Sequence, residues 1–229
     1  MAKKQAQDET IVDVQEIYTK TEMYVDRNRK TLTIVLVGVA LVALAFFGYK
    51  YFVVQPKVEK AQSSIWRAEM YFMNDSLDQA LNGDDEHMGF LEVAKAYDGT
   101  SVGMLANYYL GIIYRDQGDY QSALDHFSKS DFDDDVLGLI AMGNVGDMYV
   151  ELGDLNQGAE WLNKAARKAS ASDSKSYSAP LYLLKAAMVQ LELGNNAEAK
   201  KMFDEITTNY PDATEYEKAA KYGAMLYQY

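Results

Sequence analysis

The sequence predicts an all-α protein, in which a single N-terminal transmembrane helix precedes a solenoid of antiparallel helix hairpins. Three observations predict it. Nineteen consecutive residues, 31–49, carry no charge; a pattern of small and large residues recurs after thirty-five positions and again after forty-one; and a glycine followed by Asp or Asn stands in the middle of each recurrence. Hydrophobic residues make up 48% of the 229, with only three prolines, so the chain has material for one core of ordinary size beside the apolar run.

The elements follow in order. Residues 1–30 read as a polar tail, with Val14, Ile17, Tyr18, Met23 and Val25 spaced among mixed charges as on a weakly amphipathic surface helix. The run "TLTIVLVGVALVALAFFGY" follows, long enough at about 1.5 Å per residue to cross the hydrocarbon core of a bilayer, so residues 31–54 are assigned to a transmembrane helix. A buried core helix and a signal peptide compete with this reading. No other stretch of this length lacks charge, and thirty polar residues in front are too many for a signal peptide. Tyr49, Tyr51 and Phe52 stand at the far boundary, where amphipathic rings are favoured. Arg27, Arg29 and Lys30 precede the span and Lys50 and Lys57 follow it, a bias toward a cytoplasmic N-terminus. Pro56 is expected to end the helix or to mark a turn.

Residues 58–100 read as a divergent leading hairpin, with Trp66 and Met70 on one helix and "GFLEVAKAY" on the next. The repetition proper begins at 101. Leu110, Gly111, Tyr114, Gly118, Tyr120, Ala123 and Phe127 recur as Val145, Gly146, Tyr149, Gly153, Leu155, Gly158 and Leu162, small on small and large on large. A third unit keeps Gly194, Ala199 and Phe203 and closes with Pro211, but has Ala186, Ala187 and Gln190 in its first half. The spacer "KASASDSKSYSAP", 168–180, displaces it. In each unit the glycine suits the left-handed end of one helix, and Asp119, Asp154 or Asn195 suits the N-cap of its mate. Residues 212–229 read as a terminal helix covering the end of the array.

This spacing resembles the tetratricopeptide repeat, built from stacked antiparallel helix pairs, over about residues 101–211. One hairpin cannot bury its apolar face alone and three can, so a copied spacing with no reactive residue in it signals a structural surface. In tetratricopeptide arrays the first helix of each hairpin lines the concave face. The resemblance therefore implies a protein-binding groove of Tyr108, Ile112, Arg115, Asp116, Gly143, Asp147, Val150, Glu151, Leu184, Met188, Leu191 and Glu192. That set is apolar with acidic edges, suited to an unfolded segment or a partner helix. It contains no counterpart of the Lys and Asn residues with which some such repeats hold a peptide's C-terminal carboxylate.

Composition argues against most chemistry. There is no cysteine, hence no disulfide, thiolate nucleophile or cysteine-held metal. Residues 58–229 carry 14 basic and 28 acidic residues, a field that repels nucleic acid. His87 and His126 lie in different hairpins. His126 adjoins Phe127 on a packing helix, and in "GDDEHMG" Glu86 and His87 read as an acidic helix start rather than a metal site. "DFDDD" alternates Asp131, Asp133 and Asp135 like the start of a calcium loop, yet Met142 stands where the closing glutamate belongs, so a solvated loop is expected. Neither a Walker motif nor a nucleophile elbow nor an HExxH pair is present, and no enzyme activity, cofactor, metal or small-molecule substrate is expected.

A short tail, one span entered by "NRK" and an external run of such hairpins together resemble the YfgM-like ancillary subunits of the bacterial Sec translocon, from about Tyr24 to Ala61 and through the repeats. The resemblance implies a bacterial inner-membrane protein with a cytoplasmic N-terminus and a periplasmic domain. Its implied partners are the SecYEG channel, periplasmic chaperones and unfolded polypeptides. The alternative is a scaffold that organises a cell-division or wall-synthesis assembly through folded partners.

Overall fold

The structure, a computed structural model, describes the backbone of residues 2–226 and the side chains of 22–52 and 59–226. It divides into two units, Met1–Lys57 and Val58–Tyr229. All its regular elements are helices.

In the first unit α1 spans Ala2–Tyr49 and passes into a π-helical segment, Lys50–Val54, from which α2, Gln55–Met73, continues. The stretch Glu22–Phe52 contains an 18-residue window with a mean hydropathy of 2.5, none of which is buried. Leu36, Val42 and Phe47 are correspondingly exposed. An apolar helix with no protein around it has the properties of a membrane anchor, and a signal sequence shares them. The amphipathic positions Val14, Ile17 and Tyr18 lie outside the described side chains. Pro56 does not end a helix. It stands in an unbroken helical stretch, two residues beyond the π-helical segment.

The second unit continues with α3 (Leu77–Asn82), α4 (Phe90–Ala96), α5 (Ser101–Asp116), α6 (Tyr120–Phe127), α7 (Leu137–Glu151), α8 (Leu155–Ala171), α9 (Lys175–Glu192), α10 (Asn196–Asn209) and α11 (Tyr216–Met225), each packed on the next from α3 onward save across turns. The hairpins α5–α6, α7–α8 and α9–α10 each turn at one glycine, Gly118, Gly153 and Gly194, with φ of 79°, 82° and 77°. A side chain there would meet no neighbour, so the residue is set by the left-handed backbone alone. Asp119 and Asp154 then cap α6 and α8, accepting from the amides of Ser122 and Gln157 at 3.1 Å. Asn195 makes no side-chain cap. Its Nδ2 donates to Gln190 Oε1 at 2.8 Å and ties the third turn back to its own helix.

The paired small residues mark where helices touch. A Cβ on Gly111 would meet the Phe127 ring, and one on Gly146 the Leu162 side chain, so each glycine admits the large residue of its partner helix. Ala123 is fully buried between them. The core runs as three linked clusters, under α2–α5, around Phe127 and Met148, and through α8–α11 around Phe203.

The spacer 168–180 is largely helical: α8 runs through Ala171 and α9 starts at Lys175, with Pro180 buried inside the latter. The serines bridge the break between the two helices, Ser172 donating to the Ala169 carbonyl at 2.9 Å and bonding Ser174 at 3.0 Å. The "DFDDD" segment is a loop between hairpins whose later acids precede a helix start, and it is anchored as well. Phe132 is buried against Tyr108, while Asp134 accepts from the amides of Val136 and Leu137 at 2.8 and 2.6 Å and starts α7.

Candidate protein-binding face

The first helices α5, α7 and α9 end alike, two residues before their turn glycine, in Asp116, Glu151 and Glu192, and all three carboxylates are exposed. One turn earlier stand Ile112, Asp147 and Met188, half-buried, and between the two rows Arg115, Val150 and Leu191. This register follows from the repeat: equal distances from the turn place equal positions on one face. Arg115, Asp116, Asp147, Val150 and Glu151 come together with Tyr120 and Met148 around a concavity of about 280 Å³ between the first two hairpins.

The remaining predicted residues occupy other surroundings. Leu184, Met188 and Leu191 rest on the core of the last hairpins, and Tyr108 and Ile112 on the cluster around Phe127. Gly143 is buried, its Cα facing the Tyr182 ring. The face is therefore a half-buried apolar floor with an acidic edge along the helix ends.

Two polar residues that the apolar spacing does not single out lie at equivalent positions of their helices, nine residues before the turn. Lys185 Nζ donates to Asp147 Oδ2 at 2.6 Å, and Asn144 stands near the Tyr108 hydroxyl and lowers its pKa. Both are found by counting back from Gly153 and Gly194 rather than by looking for apolar residues. Burial raises the Tyr108 hydroxyl's pKa, against the lowering influence of Arg115 and Asn144. Burial, reinforced by Asp147 and Tyr108, pushes Tyr182 up to about 12, so these phenols stay neutral donors.

The histidines stand elsewhere. His126 is half-buried, bonded through Nδ1 to Asn107 Oδ1 at 2.8 Å and stacked on Tyr114 with centroids 5.4 Å apart. Burial and then Lys129 lower its pKa, with Asp125 opposing. His87 Nδ1 lies 3.1 Å from Asp84 Oδ1, and Asp84 also takes the Tyr71 hydroxyl and the Glu86 and His87 amides. That network folds the Gly83–Met88 loop and holds the Asp84 carboxyl far below its usual range, first through Tyr71. Among the described residues no group of three His, Asp or Glu is placed to hold a metal ion.

Comparison with known proteins gives the same repeat. Residues 105–129 and 182–213 match the tetratricopeptide repeat family, covering parts of the first and third hairpins. The chain thus carries tetratricopeptide repeats, a protein–protein interaction architecture. The crystal structure of BtubC (BKLC) from P. vanneervenii is similar at a TM-score of 0.44 and 12% identity, over 77% of this chain and 66% of that one. This chain accordingly spans just under two thirds of that protein's length. No curated protein matches the sequence.

Proposed function

We propose that the protein is a membrane-anchored binding module that holds newly translocated polypeptides through the face formed by α5, α7 and α9. The observation that carries this reading is the apolar floor with its carboxylate edge, repeated in register over three hairpins, in a chain that also has an uncharged apolar helical run, 31–49, with no protein packed around it. A floor of Val150, Met188 and Leu191 takes apolar side chains without demanding one shape, which suits varied clients. The mechanism is passive. Anchoring raises the local concentration of the face near emerging chains, and weak contacts allow release.

In this reading the apolar helix is a retained anchor, with the N-terminus cytoplasmic and the repeats in the periplasm. The partners are the translocon, periplasmic chaperones and unfolded polypeptides. Mild-detergent affinity purification of the intact protein, beside a variant with residues 31–49 replaced by an unrelated span, tests it. Recovery of translocon subunits with the native span and their loss with the substitute supports it. Recovery of one folded cell-division or wall-synthesis protein with both spans overturns it in favour of a scaffold. Cleavage of the chain behind the apolar helix during export would show a signal sequence and remove the anchor.

A further inference from the structure

The second helices of the last two hairpins enclose a cleft that the proposed groove does not use. Helix α8 has 17 residues where α6 has 8, and its added turns stand beside α10. Asn163, Arg167, Ser170 and Ala171 form one strip of α8; Glu198, Lys201, Met202 and Glu205 form one strip of α10; and the space between them is about 430 Å³. The floor is apolar and buried, made by Ala166, Leu183 and Met202.

The walls carry unmet polar demand. Arg167 and Glu205 find no counter-ion within 4.0 Å among the described residues, and Lys201 reaches Glu198 only at 3.9 Å. The Asn163 Oδ1 atom beside them is buried without a hydrogen-bond partner in the protein. With two bases and two acids the cleft is electrically balanced, on a unit whose remaining surface is strongly acidic.

We propose that this cleft is a second docking site, for an amphipathic helix of a partner protein with a narrow apolar stripe, carboxylates along one flank and Lys or Arg along the other. The trough between two helices from Asn163 to Ala171 is about 12 Å long, two helical turns, so apolar residues four apart on the guest reach the floor. Carboxylates face Arg167 on the α8 side, and bases face Glu198 and Glu205 on the α10 side. A guest with acids on both flanks meets Glu198 and Glu205, and one with bases on both meets Arg167 and Lys201.

The test uses the full chain in neutral detergent and a fluorescent, designed 15-residue helical peptide with leucines three and four apart, Glu on one flank and Lys on the other. Its binding is read by anisotropy after subtraction of binding to empty micelles. Saturable binding is expected, weakened about tenfold by Arg167→Glu and restored when the peptide's Glu flank is changed to Lys. Ala171→Trp, at an exposed position, should abolish it by filling the cleft. Absence of saturable binding, equal binding of a scrambled peptide, or indifference to Arg167→Glu overturns the proposal. If Ala171→Trp melts below the parent protein, the Arg167→Glu pair of measurements decides alone.

Discussion

Lys185 Nζ stands 2.6 Å from Asp147 Oδ2, an ion pair that joins α9 to α7 across the predicted binding face. The side chains retain 37% and 31% of their exposure, so water screens the pair and its contribution to stability is about 0.2–1 kcal/mol. Lys185→Met is therefore expected to lower urea-melt stability by less than about 1 kcal/mol, with the difference shrinking in about 1 M salt as the surface charges are screened. A larger, salt-independent loss would show that the pair fixes the register of the two hairpins rather than decorating their surface.

Gly111 lies where a methyl group would come within 2.5–2.8 Å of three Phe127 ring atoms. Alanine favours a helix over glycine by about 1 kcal/mol, so an open site would gain from the exchange. Here overpacking opposes and exceeds that gain, and Gly111→Ala is expected to destabilise by about 1–3 kcal/mol in thermal or urea melts. Ala123→Trp, in the facing helix, is expected to cost a similar amount. Stabilisation by Gly111→Ala would mean that the ring can move aside.

These two glycines also show what the sequence made legible. Size alternation marks Gly111 and Gly146 as points of close helix approach, but pairs them with the small Ala123 and Gly158 of the mate helix; that Phe127 and Leu162 are the side chains seated on them comes from the fold. The turn glycines and the Asp caps were equally readable, since each is a backbone requirement of one or two residues. The 168–180 segment was not. Serine, alanine and proline lack an apolar period and show only that the repeat is displaced, whereas Ala169 and Ala179 are buried in helices that continue through most of the segment. Asn144 and Lys185 escaped for the opposite reason: they stand on a groove-facing register as polar residues, and their partners, Tyr108 and Asp147, belong to other helices.

His126 makes the stability of the repeat unit depend on pH. Its pKa is lowered in the fold, by burial first and Lys129 second, so the unfolded chain binds the proton more readily. Stability thus rises with pH through this range: it is fully present above the unfolded value of about 6.5 and is lost as pH falls through the folded value. Melts at pH 7.5 and 5.5 should show a larger decrease for the parent protein than for His126→Gln. The comparison isolates this group, since Asp84, Asp119 and Asp134 have lowered pKa values and lose their contributions only at more acidic pH. Equal decreases would place the titration elsewhere.

Asp134 begins α7 by accepting from two backbone amides, and its pKa is lowered chiefly by the Val136 amide. Asp134→Ala removes the acceptor of two backbone amides just ahead of the N-cap Val136 and should cost about 1–3 kcal/mol, whereas Asp133→Ala, one residue earlier and exposed, should cost little. The sign with pH is that of a depressed carboxylate. Its contribution is present above about pH 4 and disappears as the pH falls through the folded value, so the two variants should converge in stability in acid. Equal losses at neutral pH would mean that Phe132, rather than Asp134, holds the start of the helix.

Glu151 and Glu192 are the last residues of α7 and α9, neither of which has a basic residue in its last turn. A carboxylate there opposes the helix dipole, and a lysine would favour it. The double variant Glu151→Lys, Glu192→Lys should therefore melt about 1–4 °C higher than the parent protein. The same change reverses the acidic edge of the proposed groove, and suppression of the aggregation of a basic unfolded client should fall about threefold or more. Stability and function moving in opposite directions distinguish a binding edge from a structural one, because loss of folding lowers both. Undiminished client protection at the higher melting temperature would remove these carboxylates from the binding face and leave the apolar floor of Val150, Met188 and Leu191 as its only determinant.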